Sequence, residues 1–97
     1  MSALTVFIRL HAREGQAQAV AEALAEVVPA TRAEPGCLEI AAYRSTQDPG
    51  LFTIHSRWAD EAAFEAHAGL AHTTAFLATV RPLIDHPFEA VRTRPFA

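Results

Sequence analysis

Thr46-Gln47-Asp48-Pro49-Gly50 constrains this chain more than any other stretch. Pro49 fixes its own backbone torsion and Gly50 reaches conformations closed to other residues, so the stretch reads as a tight turn. A run of alternating character lies on either side of it. "CLEIAAYRS" puts Leu38, Ile40 and Ala42 on one face. "LFTIHSRW" puts Phe52, Ile54, Ser56 and Trp58 on one face and Leu51, Thr53, His55 and Arg57 on the other. Period 2 is the period of a strand, and two strands joined by so short a turn form an antiparallel hairpin. The remaining elements have to be laid around that hairpin.

"ALTVFIRLHA" near the start alternates as well. Leu4, Val6, Ile8 and Leu10 form a core face, with Thr5, Phe7, Arg9 and His11 opposite. Between this strand and the hairpin, Val20, Leu24 and Val27 or Val28 recur at helical spacing in an Ala-rich segment. Pro29 predicts that this helix ends or kinks near Val28 and resumes weakly through Arg32. "EPG", Glu34 to Gly36, is a turn. After the hairpin, Asp60 caps a helix running to about Ala68, Gly69 breaks it, and a second short helix covers about Ala71 to Val80. Pro82 and Pro87 bracket a linker, and "PFEAVRT" reads as a short last strand. The order is β-α-β-β-α-β with the second α split. That is the α+β, ferredoxin-like pattern: an antiparallel sheet with helices on one face. Phe7 and Leu51 on the other face point to a cover, and a second copy of the chain is the simplest one.

At 97 residues the chain is one domain, 1–97, able to bury roughly 60–70 % of its unfolded surface. All eight basic residues are Arg, scattered without a basic run, and the formal net charge is −3, so nothing draws the chain to nucleic acid. The start "MSALTVFIRLHAREG" has neither the basic nor the apolar region of a signal peptide. No run approaches the ~20 apolar residues of a membrane span. Cys37, alone, forms no internal disulfide and points to a reducing compartment. The expectation is a cytoplasmic protein with no membrane partner.

Residues 55 to 72 hold the only Trp, Trp58, and three of the five His: His55, His67 and His72. Three readings are open: a metal site, an acid/base pocket, or a helical hairpin in which the His only pack. His67 follows Phe64 by one turn on the presumed inner face, as a general base or as a hydrogen-bonded His fixing the Gly69 corner. His72 opens the next helix, where free backbone N–H groups disfavour an imidazolium; it suits a phenolate or enolate, or is a surface His. Trp58 is either an apolar wall for an aromatic ligand or core. For a metal, the five-residue spacing of His67 and His72 across a Gly is not a known ligand pattern, and no second carboxylate or Cys cluster completes a set. His55, Arg57, Arg9 and His11 read as polar groups of a subunit interface, and Cys37 as a small buried residue.

"EPGCLE" followed by "DPGLFTIHSRWADEAAFEAHAGLAHTTAF" resembles the antibiotic biosynthesis monooxygenase family and its quinol monooxygenase relatives. Glu34-Pro35-Gly36-Cys37, Phe52, Trp58, Phe64, His67, His72 and Phe76 carry the likeness, which extends from about Leu4 to about Val91. It implies a subunit that pairs sheet to sheet into a dimeric α+β barrel, with a pocket between sheet and helices in each subunit. It also implies oxygenation of anthrones or quinols by O₂ without metal, flavin or other cofactor. Two departures bear on the reaction. Many quinol-type members carry Glu where this chain has Ser56, which argues against a specific quinol assignment. The haem-degrading branch uses an Asn in the first strand; "LTVFIRLHA" has none, which argues against haem degradation. The site implied has His67 and His72 as catalytic groups and Trp58, Phe64, Phe76, Phe52 and Ser56 around a small aromatic substrate. An isomerase acting on a small carbonyl compound and a non-catalytic dimeric binding module are the competing functions.

Overall fold

Asp48 organises the hairpin turn: its carboxylate accepts the Gly50 N–H at 2.9 Å and its carbonyl the Leu51 N–H at 3.0 Å, while Ser45 Oγ accepts the N–H groups of Gln47 and Asp48. The computed structural model describes residues 3–97. In it the turn joins β2 (Cys37–Arg44) to β3 (Leu51–Trp58) in antiparallel register, Arg44 opposite Phe52 and Ile40 opposite Ser56. β1 (Leu4–His11) lies antiparallel on the far side of β3, and β4 (Ala90–Thr93) closes the sheet in the order β2-β3-β1-β4. The helices are α1 (Ala17–Arg32), α2 (Glu61–Ala68) and α3 (Ala71–Val80), followed by a 3₁₀ turn at Arg81–Leu83. This is the α+β, ferredoxin-like arrangement. Among the described residues no helix is long and apolar enough to cross a membrane.

The even-numbered residues of β1 carry the core. Leu4, Val6 and Leu10 are buried against Val20, Leu24, Val27 and Val28 of α1 at one end, and against Trp58 and Phe64 at the other. Phe7, on the opposite face of β1, is half exposed and lies between Val91 of β4 and His55 of β3 in the pairing.

Three local expectations differ from the structure. α1 runs unbroken through Pro29 to Arg32. The carbonyl that loses its donor is that of Ala25, and both residues are exposed, so water can serve it. Beyond it, buried Val27, Val28 and Thr31 hold the last turn on the sheet, and Thr31 Oγ1 donates to the Val27 carbonyl at 2.8 Å. Leu38 does not share the buried face of Ile40. A bulge between Cys37 and Glu39 makes Leu38 the extra residue, and it is half exposed. The last strand is confined to Ala90–Thr93, leaving Pro87–Glu89 as loop.

The segment after α3 returns along the end of β1. The Asp85 N–H donates to the His11 carbonyl at 2.9 Å and the Arg13 N–H to the Leu83 carbonyl at 2.8 Å. A side-chain clasp reinforces this: His11 Nδ1 lies 2.5 Å from Asp85 Oδ2, and its Nε2 lies 3.0 Å from Asp48 Oδ2. Both ring nitrogens can donate only in the imidazolium. Hydrogen bonds to Asp85 and then Asp48 accordingly raise the His11 pKa above its ordinary 6.5. Asp85 is held low by His11 and His86, and Asp48 by the Gly50 N–H and then His11. A raised His pKa makes the clasp fully effective below 6.5, with loss as pH climbs through the folded-state value; the depressed carboxylates contribute above 3.8, with loss as pH falls through theirs. His11→Gln should therefore lower the melting temperature most between about pH 4 and 6.5 and least in alkali. A pH-independent difference between the two melting curves would contradict this account.

Candidate active site

Asp60 starts α2 by accepting the Ala63 N–H at 2.8 Å, and α2 ends at Gly69 after only eight residues. That length puts Phe64 and His67 on the side facing β3. His67 stacks on Trp58, centroids 4.7 Å apart, and Phe64 meets Trp58 edge-on at 5.7 Å. α3 starts at Ala71, so His72 and Thr73 lie in its first turn and approach His67. The two His rings are 6.1 Å apart, centroid to centroid.

Between them lies Glu34. Its Oε2 is 2.8 Å from His67 Nδ1 and 2.6 Å from His72 Nε2, and its side chain is only 9 % exposed. A carboxylate only accepts, so both imidazoles donate to it, and His67 is the Nδ1–H tautomer by this geometry. In the neutral ring that tautomer leaves the lone pair on Nε2. Thr73 Oγ1 sits 3.2 Å from His67 Nδ1. The turn carrying Glu34 is pressed close to α2: a Cβ on Gly36 would fall 2.4 Å from Ala63 Cβ, so only glycine allows this approach. The Gly36 carbonyl in turn accepts the Ala59 N–H at 2.9 Å.

Sequence reasoning gave Glu34 no role in the site: it stood in the Glu34–Gly36 turn and in the family likeness alone. A signal was present: the carboxylate immediately follows the C-terminus of α1, where the helix dipole disfavours negative charge unless a partner compensates. Its partners come from 33 and 38 residues away. Glu34 also corrects the expectation that nothing completes a ligand set around the two His: Glu34, His67 and His72 bring three ligand atoms within 4.8 Å of one another.

A cavity of about 710 Å³ opens between sheet and helices beside this cluster. Its inner wall includes Ile54, Ser56, Phe64, His67, Thr73 and Phe76; its outer wall includes Arg81 and residues 84–88 with Ala90, together with Arg13. Of the side chains singled out in the sequence, His67, Ser56, Phe64 and Phe76 meet in this cavity. Trp58 is 1 % exposed and sits behind His67, with its Nε1–H donating to Ser56 Oγ at 3.0 Å. Phe52 borders a separate groove by α1 and β2, under the Arg44 guanidinium at 4.8 Å. His72 borders a small groove between α1 and α3 that also holds Glu26. Burial raises the pKa of Cys37, which makes its thiol a poor nucleophile.

Residues 3–79 match the family model described as "Antibiotic biosynthesis monooxygenase". The chain belongs to that family. Within the antibiotic biosynthesis monooxygenase family and its structural neighbours, it is similar to the YcnE protein of Bacillus subtilis (strain 168), which carries a provisional monooxygenase name. The two are 31 % identical over 67 residues, 69 % of this chain and 70 % of YcnE. The fold is that of PA3566 from Pseudomonas aeruginosa, with a TM-score of 0.93 and 28 % identity over 100 % of this chain and 97 % of the other. It is also that of Rv0793 from Mycobacterium tuberculosis, with a TM-score of 0.92 and 26 % identity over 99 % and 97 %.

Proposed function

We propose that this chain is a cofactor-independent monooxygenase that oxidises a small phenol, hydroquinone or anthrone-like substrate with O₂. Membership of the antibiotic biosynthesis monooxygenase family supports the reaction type. The observation that carries the reading is His67 on the wall of a largely apolar cavity, paired with the largely buried carboxylate of Glu34 behind it. His67 Nε2 takes the acidic proton of the substrate. Glu34, hydrogen-bonded at Nδ1, stabilises the imidazolium and fixes the ring; His72 holds the same carboxylate oxygen. The substrate anion gives one electron to O₂, and the substrate radical and superoxide combine into a C–O bond. The resulting peroxide anion takes the proton back from His67. Loss of water then breaks the O–O bond and leaves a carbonyl, so that CH₂ and O₂ become C=O and H₂O. Phe64 and Phe76 keep water from the anion.

Oxygen uptake with a panel of hydroquinones and anthrones, in protein stripped of metal and flavin, tests the reading. One O₂ consumed per carbonyl formed is the expected result. Proton exchange at substrate carbon without O₂ uptake would favour an isomerase, and binding without turnover a binding module.

The working unit in this reading is a homodimer joined through the free sheet face. Phe7, Val91 and Tyr43 are about half exposed there, an apolar stretch that the fold itself leaves uncovered. Light scattering at micromolar concentration should give twice the subunit mass, and Phe7→Glu should halve it. A wild-type mass of one subunit would refute this assembly.

A further inference from the structure

We infer that Glu34, His67 and His72 form a binding site for a divalent transition-metal ion of the zinc class, which enters in competition with the hydrogen bonds now joining them. The donor set is two imidazole nitrogens and one carboxylate oxygen, a combination that suits zinc and its neighbours. The three atoms come from three separate elements and lie within 4.8 Å of one another. Metal–ligand bonds of 2.0–2.1 Å at tetrahedral angles separate ligand atoms by about 3.3 Å. The present Glu34 contacts of 2.8 and 2.6 Å need to open by about 0.5 and 0.7 Å to reach that, while the two imidazole nitrogens, at most 4.8 Å apart, swing in to the same separation.

The electrostatics favour a cation. Among the described residues, the only groups within salt-bridge distance of the Glu34 carboxylate are the two imidazoles, with no Arg beside it. Entry is open on one side, because His72 is 30 % exposed and the groove bordering it carries a second carboxylate, Glu26. The His67 ring is already oriented by Trp58 and Phe64.

Coordination at His67 Nδ1 and His72 Nε2 moves each N–H to the opposite ring nitrogen. No electron is transferred and no net proton is lost. His67 then carries its hydrogen on Nε2 and has no lone pair facing substrate, so the ion silences the base. The binding site rests on geometry alone; only its inhibitory consequence rests on the proposed oxygenase reading.

Titration calorimetry with Zn²⁺ on the metal-stripped full chain, without substrate, tests binding. One ion per chain with micromolar affinity is expected, weakened at least tenfold by Glu34→Gln and by His72→Ala and unchanged by His11→Gln. In wild-type protein with ¹⁵N-labelled histidine, Zn²⁺ should shift His67 Nδ1 and His72 Nε2, a readout that needs no variant to fold. No binding up to millimolar Zn²⁺, or shifts confined to His11 and His86, would overturn the inference. Metal binding that leaves turnover intact would keep the site and remove the inhibition.

Discussion

His67→Ala should lower turnover by about 10²–10⁴-fold, the usual worth of a positioned general base. Among the two His of the cluster, His67 is the one that lines the large cavity. Glu34→Gln should also lower kcat, by less, because the amide keeps the shape but not the charge that stabilises an imidazolium. KM should change little in that variant, since Glu34 lies behind His67 and does not line the cavity. His67 packs against Trp58 and donates to the largely buried Glu34 carboxylate, so its removal costs stability too, about 1–3 kcal/mol, at roughly 4–8 °C per kcal/mol in a domain this size. Stopped-flow or electrode rates, corrected for the folded fraction, decide the matter. Turnover within a few-fold of wild type would leave His67 as a packing residue.

Trp58→Ala should cost about 3–5 kcal/mol, a large part of the whole stability of a small domain. Trp58 is the largest fully buried side chain, and it joins β1, through Leu4 and Val6, to Phe64 on α2. Its loss leaves a void beneath His67 and removes the donor to Ser56 Oγ. Trp58→Phe should recover much of the packing and isolate the cost of that hydrogen bond, about 1 kcal/mol. Urea unfolding of the three proteins reads both numbers. A loss below about 1 kcal/mol in Trp58→Ala would show that the corner collapses around the gap.

What could be read in the sequence was local. The hairpin turn, the Asp60 cap and the break at Gly69 each rest on one or two residues whose backbone chemistry leaves few alternatives, and each stands in the structure. Leu38 escaped because alternation assumes an unbroken phase, and a bulge shifts it without leaving any mark in residue type. Pro29 misled because the cost of a proline depends on whether the freed carbonyl meets water, which is a property of the packed helix. The candidate site was half legible. His67, Ser56, Phe64 and Phe76 follow from strand and helix phase. Glu34 meets them only because α1 delivers the chain to α2 across a glycine that permits contact, and the places of Trp58 and Phe52 depend on where the helices end over the sheet.

The cavity has two walls of different origin. The stretch matching the family ends at residue 79, with the inner wall and His67 inside it, whereas the outer wall, Arg13 apart, comes from the segment between Arg81 and Ala90, tied down by the His11 clasp. His67 and most of the cavity lining around it thus lie on one length of chain, and most of the outer wall on another. A graft that exchanged only the outer length between two related subunits would replace that wall and leave the Glu34, His67 and His72 cluster in place.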